Sequence, residues 1–176
     1  AFVFETSKSI SSVRTQARLV AGIHSFYRFL LYHNYIEQDP SELLETPKKE
    51  HHLPDVLTLD EIDAMIAQLD MSKPESHRNR AIIEILYGSG LRVSELVNLR
   101  LSDLYRQEGF MRITGKGSKQ RLVPISPVAD QWLDYWLEDR SKLNIKTQYS
   151  DIVFLNRYGR QLTRAMIFTI IKTLAK

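Results

Sequence analysis

The chain contains no cysteine in its 176 residues, which excludes disulfides, thiolate metal sites and a cysteine nucleophile. Glycine and proline are scarce, seven and six in all, so they punctuate the fold wherever they cluster. No apolar run approaches the roughly 20 residues that span a bilayer. Ala1-Phe2-Val3-Phe4 is followed at once by Glu5 and Lys8, which is not a signal-peptide pattern. These absences read as a soluble, cytoplasmic protein with no membrane partner. What is present is a 43% hydrophobic chain, enough to build a packed core. No internal repeat or low-complexity tract interrupts it.

The formal net charge of +3 conceals an uneven distribution. Residues 106–125 hold five Lys/Arg against one Asp/Glu, and residues 140–176 hold eight against one. Residues 57–105, by contrast, hold five against eight. Two concentrated basic segments suit either a polyanion contacted on one surface or lysine-rich, solvated helix ends.

Residues 11–33 read as one helix, because Val13, Ala17, Val20, His24, Tyr27 and Leu31 recur at spacings of three and four. Arg14, Arg18, Ser25 and Arg28 share another face with Ala21 between them. That small and basic stripe fits a phosphate backbone or plain solvent. His24 reads as a core or boundary histidine, since no second ligand stands at a helical spacing from it. A short helix is expected from Ser41, after Asp39-Pro40. Residues 47–57 carry two prolines and mixed charge and form the expected linker between segments 1–46 and 58–176. The adjacent His51-His52 has no cysteine or carboxylate partners and reads as solvated.

Thr58-Leu59-Asp60-Glu61 is a capping box, and its helix should run to about Leu69, burying Ile62, Met65, Ile66 and Leu69. His77 and Arg80 read as surface residues near the start of the next helix. Leu104-Tyr105, Phe110–Ile113 and Gln120–Pro124 read as three strands joined by turns. Ser126-Pro127 opens a helix whose Trp132, Leu133, Trp136 and Leu137 are core candidates. Asp151–Leu155 is a short extended run and Asn156–Arg160 a basic turn. Thr163 caps a last helix with Ile167, Ile170, Ile171 and Leu174 on its apolar side. The fold class is therefore mainly α with a small three-stranded antiparallel sheet, an α+β arrangement.

Two stretches carry chemistry. Ile82, Ile85 and Leu86 mark one face of a helix that Gly88 and Gly90 break, and a new helix restarts near Arg92 or Ser94. Arg92 and Glu95, three residues apart, share a face of it. Spacing alone leaves two readings. The carboxylate orients a guanidinium to grip a phosphate, or the two form an ordinary surface ion pair after a glycine turn. Downstream, Gly115-Lys116-Gly117-Ser118-Lys119 is a tight turn that carries Lys116 at its tip. Strands flank it, so it is not a P-loop, which opens a helix.

The stretches Tyr87–Leu96 and Gly115–Pro124 resemble the arginine motif and the lysine hairpin of the tyrosine recombinases, the phage-integrase family. They come in that family's order and spacing. The nearest likeness is the bacterial XerC/XerD type, which resolves chromosome dimers, and weaker similarity runs from about Ser11 to Lys176. The resemblance implies a catalytic-domain fold in 58–176 and part of a helical core-binding domain, a DNA clamp, in 1–46. It implies that Arg92 binds a non-bridging oxygen of the scissile phosphate and that Glu95 orients Arg92. Lys116 would protonate the departing 5′ oxygen. A tyrosine of the family forms a 3′-phosphotyrosine link, with no metal and no cofactor.

Arg14, Arg18, Arg28, Lys119, Arg121 and Arg164 are the expected DNA contacts, Lys119 and Arg121 against the backbone or in support of the hairpin. The expected partners are double-stranded DNA at a recombination site and further recombinase subunits in a tetrameric synapse. The family's His-x-x-Arg pair, a further histidine and the tyrosine nucleophile follow the final helix. None of the eight tyrosines here stands in that context. His77 and Arg80 match the pair by pattern but precede the lysine hairpin. The expectation is a fragment holding half of an active site, unable to cut DNA alone, with apolar side chains exposed on its last helix. A non-catalytic DNA-binding module and a phage or transposon integrase are the alternatives on the same scaffold.

Overall fold

The computed structural model describes residues 12–47 and 56–175. Most of the expected linker, with His51-His52, lies outside them. The chain divides into two compact units, the second beginning at Leu57.

The first unit is built on helix α1, Val13–Tyr32. Its buried side is narrower than the expected stripe: Ala17 and Val20 are buried, whereas Val13 and Leu31 are 48% and 39% exposed. The short helix expected at Ser41 does not form. Asp39 Oδ1 accepts hydrogen bonds from the Ser41 backbone N at 2.8 Å and from its hydroxyl at 2.6 Å. A side chain that satisfies the backbone locally competes with helix, and here it leaves a turn. His24 clamps that turn to α1. Its Nδ1 lies 3.0 Å from Ser41 Oγ, and its Nε2 lies 3.0 Å from the Leu44 carbonyl oxygen. It is a boundary histidine.

In the second unit, α2 (Leu59–Ala67) begins at the capping box. Thr58 N donates to Glu61 Oε2 at 2.7 Å and Glu61 N donates back to Thr58 Oγ1 at 3.3 Å. The helix stops at Ala67, short of Leu69, and buries Ile62 and Met65. Helix α3 (Ser76–Ser89) ends at Gly90, whose φ of 58° is the left-handed conformation that glycine adopts at little cost. The short α4 (Val93–Val97) follows directly.

Strands β1 (Leu104–Tyr105), β2 (Phe110–Thr114) and β3 (Gln120–Pro124) form one antiparallel sheet in the order β1-β2-β3. Met111 faces Val123 and Ile113 faces Arg121 across β2 and β3. Met111, Ile113 and Val123 are buried, so one side of the sheet meets the core. Helix α5 (Pro127–Ser141) is capped by Ser126, whose Oγ accepts from Ala129 N at 3.1 Å. Ala129, Leu133 and Trp136 of α5 share one core with Ala81, Ile82 and Ile85 of α3. Helix α6 (Arg164–Leu174) is capped by Thr163 and buries Ile167, while Phe168 is 65% exposed.

His77 and Arg80 are not the surface residues that their position before the glycine motif suggested. The first turn of α3 packs against α5, and both are half-buried there. His77 Nδ1 lies 2.7 Å from Asp139 Oδ2. Arg80 stacks 5.2 Å from the Trp132 ring centre and pairs with Glu84. Between them Arg78 is buried and donates to the Leu155 carbonyl at 3.1 Å and to Asn79 Oδ1.

Val153, Phe154 and Leu155 are fully buried although only isolated bridges pair this segment, Arg100 with Ile152 and Leu155 with Gln161. Buried donors supply what a full strand ladder would. Arg140 donates to the carbonyls of Ile152 at 3.0 Å and Ser150 at 2.6 Å. Trp136 Nε1 donates to Val153 at 2.9 Å, and Arg78 reaches Leu155. Satisfied carbonyls let an irregular strand cross the core.

Candidate active site

The break between α3 and α4 and the β2–β3 hairpin meet at Glu95. Gly90 turns the chain out of α3, and Arg92 sits just before α4 with extended backbone. Glu95, on the first turn of α4, folds back so that its Oε2 accepts from Arg92 N at 2.9 Å. The Arg92 Nη1 donates to Glu95 Oε1 at 3.2 Å. The stronger partner comes from β3. Arg121 grips the carboxylate with both ends of its fork, Nη1 to Oε1 at 2.7 Å and Nη2 to Oε2 at 2.9 Å. The hydrogen bonds from Arg121 dominate, and they hold the Glu95 carboxyl down from 4.5 to about 2 although burial opposes this.

Exposure separates the three side chains. Glu95 is 5% exposed, Arg121 41% and Arg92 75%. Glu95 is thus a buried anion saturated by four donors. Arg121 is committed to it through two nitrogens. Arg92 gives the carboxylate one of its five N–H donors and presents the remainder outward. A guanidinium tethered at one corner and open elsewhere is poised for bidentate binding of an oxyanion.

The hairpin base lies directly on this cluster. A methyl group added to Gly115 would sit 3.6 Å from Glu95 Oε1 and 3.7 Å from Arg121 Nη1. The next residue is Lys116, which opens the tip Lys116–Ser118. Its side chain lies outside what the structure describes. Gly117 and Ser118 take φ of 73° and 57°, so the tip reverses through two successive left-handed residues. Gly115 N then donates to Lys119 O at 2.7 Å and closes the hairpin.

Of the expected site residues, Arg92, Glu95 and Arg121 come together, with the Lys116 backbone one residue from the contact. Lys119 is exposed beside the hairpin tip, and Arg164 is exposed at the first position of α6. Arg14, Arg18 and Arg28 are exposed on α1 in the first unit. The Glu95–Arg121 pair was not read from the sequence as such. Its signal was the alternation in β3, where Arg121 and the buried Val123 share a side of the strand.

A cavity of about 630 Å³ borders Glu95, lined among others by Asn98, Arg100, Asp103, Arg112 and Gln161. Arg112 is neutralised there by Asp103, Nη2 to Oδ1 at 2.7 Å. Among the described residues no group of three or more His, Cys, Asp or Glu is placed to hold a metal, and no helix is long and apolar enough to cross a membrane.

Residues 55–176 match the phage integrase family. The chain belongs to the phage integrase family. Among curated members it is similar to "Tyrosine recombinase XerD" of Lacticaseibacillus casei, 45% identical over 156 residues, covering 89% of this chain and 53% of that protein. The XerD of Listeria innocua is 40% identical over 176 residues, covering 99% of this chain and 59% of that protein. The chain therefore spans little more than half the length of these phage integrase family relatives. Among solved structures, a XerA recombinase covers 98% of the chain at 26% identity with a TM-score of 0.59, over 57% of its own length. The XerH site-specific recombinase bound to its difH substrate covers 99% at 24% identity with a TM-score of 0.71, over 52% of its own length, and this second likeness is one of fold.

Proposed function

We propose that this chain is part of a site-specific tyrosine recombinase of the Xer type that acts on duplex DNA in the cytoplasm. Residues 58–176 would be the first portion of the catalytic domain and residues 1–46 part of a DNA-clamping domain, joined through 47–57. The supporting observation is the arrangement at Glu95. A buried carboxylate anchors Arg121 and tethers Arg92, leaving Arg92 free to take a non-bridging oxygen of the scissile phosphate.

Charge develops on that oxygen as a tyrosine attacks, and a fixed cation there lowers the barrier. Lys116, on the hairpin tip next to the cluster, is the proposed acid for the departing 5′ oxygen. Glu95 and Arg121 position the site rather than touch DNA. Lys119, Arg164 and the α1 stripe Arg14, Arg18 and Arg28 are proposed DNA contacts. A His-x-x-Arg pair occurs in the described residues only as His77 and Arg80, which α5 engages, so we propose that this chain alone does not cut DNA. Recombination would need further subunits in a tetrameric synapse.

The test joins this chain to the part of the Lacticaseibacillus casei relative that it does not cover, and offers a nicked suicide duplex. Wild type should form a covalent protein–DNA adduct on a denaturing gel. Arg92→Ala should lower adduct formation by roughly 100-fold or more. Lys116→Ala should be rescued by a duplex whose 5′ leaving group needs no proton. Absence of rescue would remove Lys116 as the acid, and undiminished cleavage by Arg92→Ala would remove the phosphate role of Arg92.

A further inference from the structure

A second concave basic site lies in the turn after the buried 153–155 segment. Residues Asn144, Lys146, Arg157, Tyr158 and Arg160 line one cavity of about 580 Å³, none of them acidic. It shares no lining residue with the cavity beside Glu95. Lys146, Arg157 and Arg160 are exposed, and among the described residues no carboxylate forms an ion pair with any of them. Three like charges around one hollow repel each other unless an anion enters.

The backbone beneath them is locked. Asn156 Oδ1 accepts from Tyr158 N at 2.9 Å and from Arg160 N at 3.2 Å, and Asn156 N donates to Arg160 O at 2.8 Å. Gly159 is buried with φ of 66°, and a Cβ there would overlap the Asn144 carbonyl. The turn and the 144–146 strand of chain therefore touch backbone to backbone, which only glycine permits. Lys146 N donates to Gly159 O at 3.4 Å across this contact. Arg157 is held in turn. Its guanidinium lies 4.8 Å from the Tyr158 ring centre, and Nη2 donates to the Tyr158 hydroxyl at 2.7 Å. A rigid loop loses little freedom when it binds.

We propose that Lys146, Arg157 and Arg160 form a phosphate clamp on the DNA backbone, separate from the Arg92 site. The clamp rests on the duplex-DNA reading above. Phosphodiester is the ligand that fits, because guanidinium forks pair bidentately with phosphate oxygens and a lysine adds a point charge. Its affinity contribution is sequence-independent and releases counterions.

The experiment measures anisotropy of a labelled random-sequence 20-bp duplex with the 176-residue chain at several salt concentrations. The variants are the triple change K146Q/R157Q/R160Q and the single change Lys146→Gln, which leaves the turn untouched. The triple variant should bind roughly five- to tenfold more weakly at about 0.1 M salt. The slope of log affinity against log salt should fall by about 0.9 for each phosphate that the variant no longer neutralises. Lys146→Gln should show a smaller loss in the same direction with an unchanged unfolding midpoint. Wild-type binding with unaltered slopes in both variants would overturn the clamp and leave the DNA reading intact. Variants that keep duplex binding but lose binding of pyrophosphate would also overturn it, assigning the pocket to a small anion. A wild-type chain with no measurable duplex affinity would overturn the DNA reading and the clamp together.

Discussion

Two regions of the second unit use arginine in opposite ways. Around Leu155, Arg78 and Arg140 are 8% and 7% exposed; Arg140 directs its donors at backbone carbonyls, and Arg78 divides its own between the Leu155 carbonyl and Asn79 Oδ1. Burial works against the charge of both, so these guanidinium groups serve as hydrogen-bond clamps in spite of being ions. Around Glu95, one buried anion takes four donors and leaves Arg92 three-quarters exposed. In the first region the fold consumes the arginines. In the second it consumes one, Arg121, and presents the other. A cation available for chemistry is thus recognised by what remains unsatisfied on it, more than by its position in a motif.

The largest effect is expected at Arg78. Arg78→Ala orphans the buried Leu155 carbonyl and leaves a cavity, so chemical denaturation should show a loss of about 3 kcal/mol. A loss below about 1 kcal/mol would mean that the clamp is not structural.

Glu95→Gln sharpens the other side, because it leaves Arg121 and Arg92 without their counter-charge. The expected loss is about 2 kcal/mol. The Glu95 carboxyl is lowered from 4.5 to about 2 in the folded chain, so its stabilisation is complete above pH 4.5 and is lost as pH falls through that window toward 2. Unfolding measured between pH 5 and pH 2.5 should therefore lose stability more steeply in wild type than in Glu95→Gln. Equal slopes would detach the low carboxyl from the cluster.

Gly90, which swings the chain from α3 into the Arg92 turn, should show a smaller effect. Open space surrounds it, so Gly90→Ala costs only what its left-handed backbone demands, about 1 kcal/mol. Thermal unfolding checks the size. A larger loss would mean that the turn does more than redirect the chain.

What the sequence disclosed follows the range of the interactions. Helices α1 to α3, α5 and α6 were legible from periodicity, and Thr58, Ser126 and Thr163 cap where short-range rules place them. The three strands and their turns were legible from alternation and glycine. The Ser41 turn was missed because one Asp39 side chain outweighed a helix-start pattern. His77 was misjudged because its partner, Asp139, lies 62 residues away. Arg92 and Glu95 were visible as a local pair, but the bidentate hold by Arg121 depends on the β2–β3 register and on where the hairpin base meets α4. The clamps on 149–155 were hidden for the same reason, since nothing in Arg78 or Arg140 announces a distant carbonyl.

Arg92 is held by Glu95 but three-quarters exposed, and one paired measurement tests whether that cation is free for a phosphate. Arg92→Gln and Arg78→Ala are compared in the same chain for unfolding midpoint and for duplex affinity across salt. Arg92→Gln should leave stability within about 0.5 kcal/mol of wild type while lowering the salt slope by about 0.9. Arg78→Ala should do the reverse at temperatures where it is folded. A destabilised Arg92→Gln with unchanged duplex binding would show that Arg92, too, belongs to the scaffold, and would contradict the assignment of this site to a phosphate.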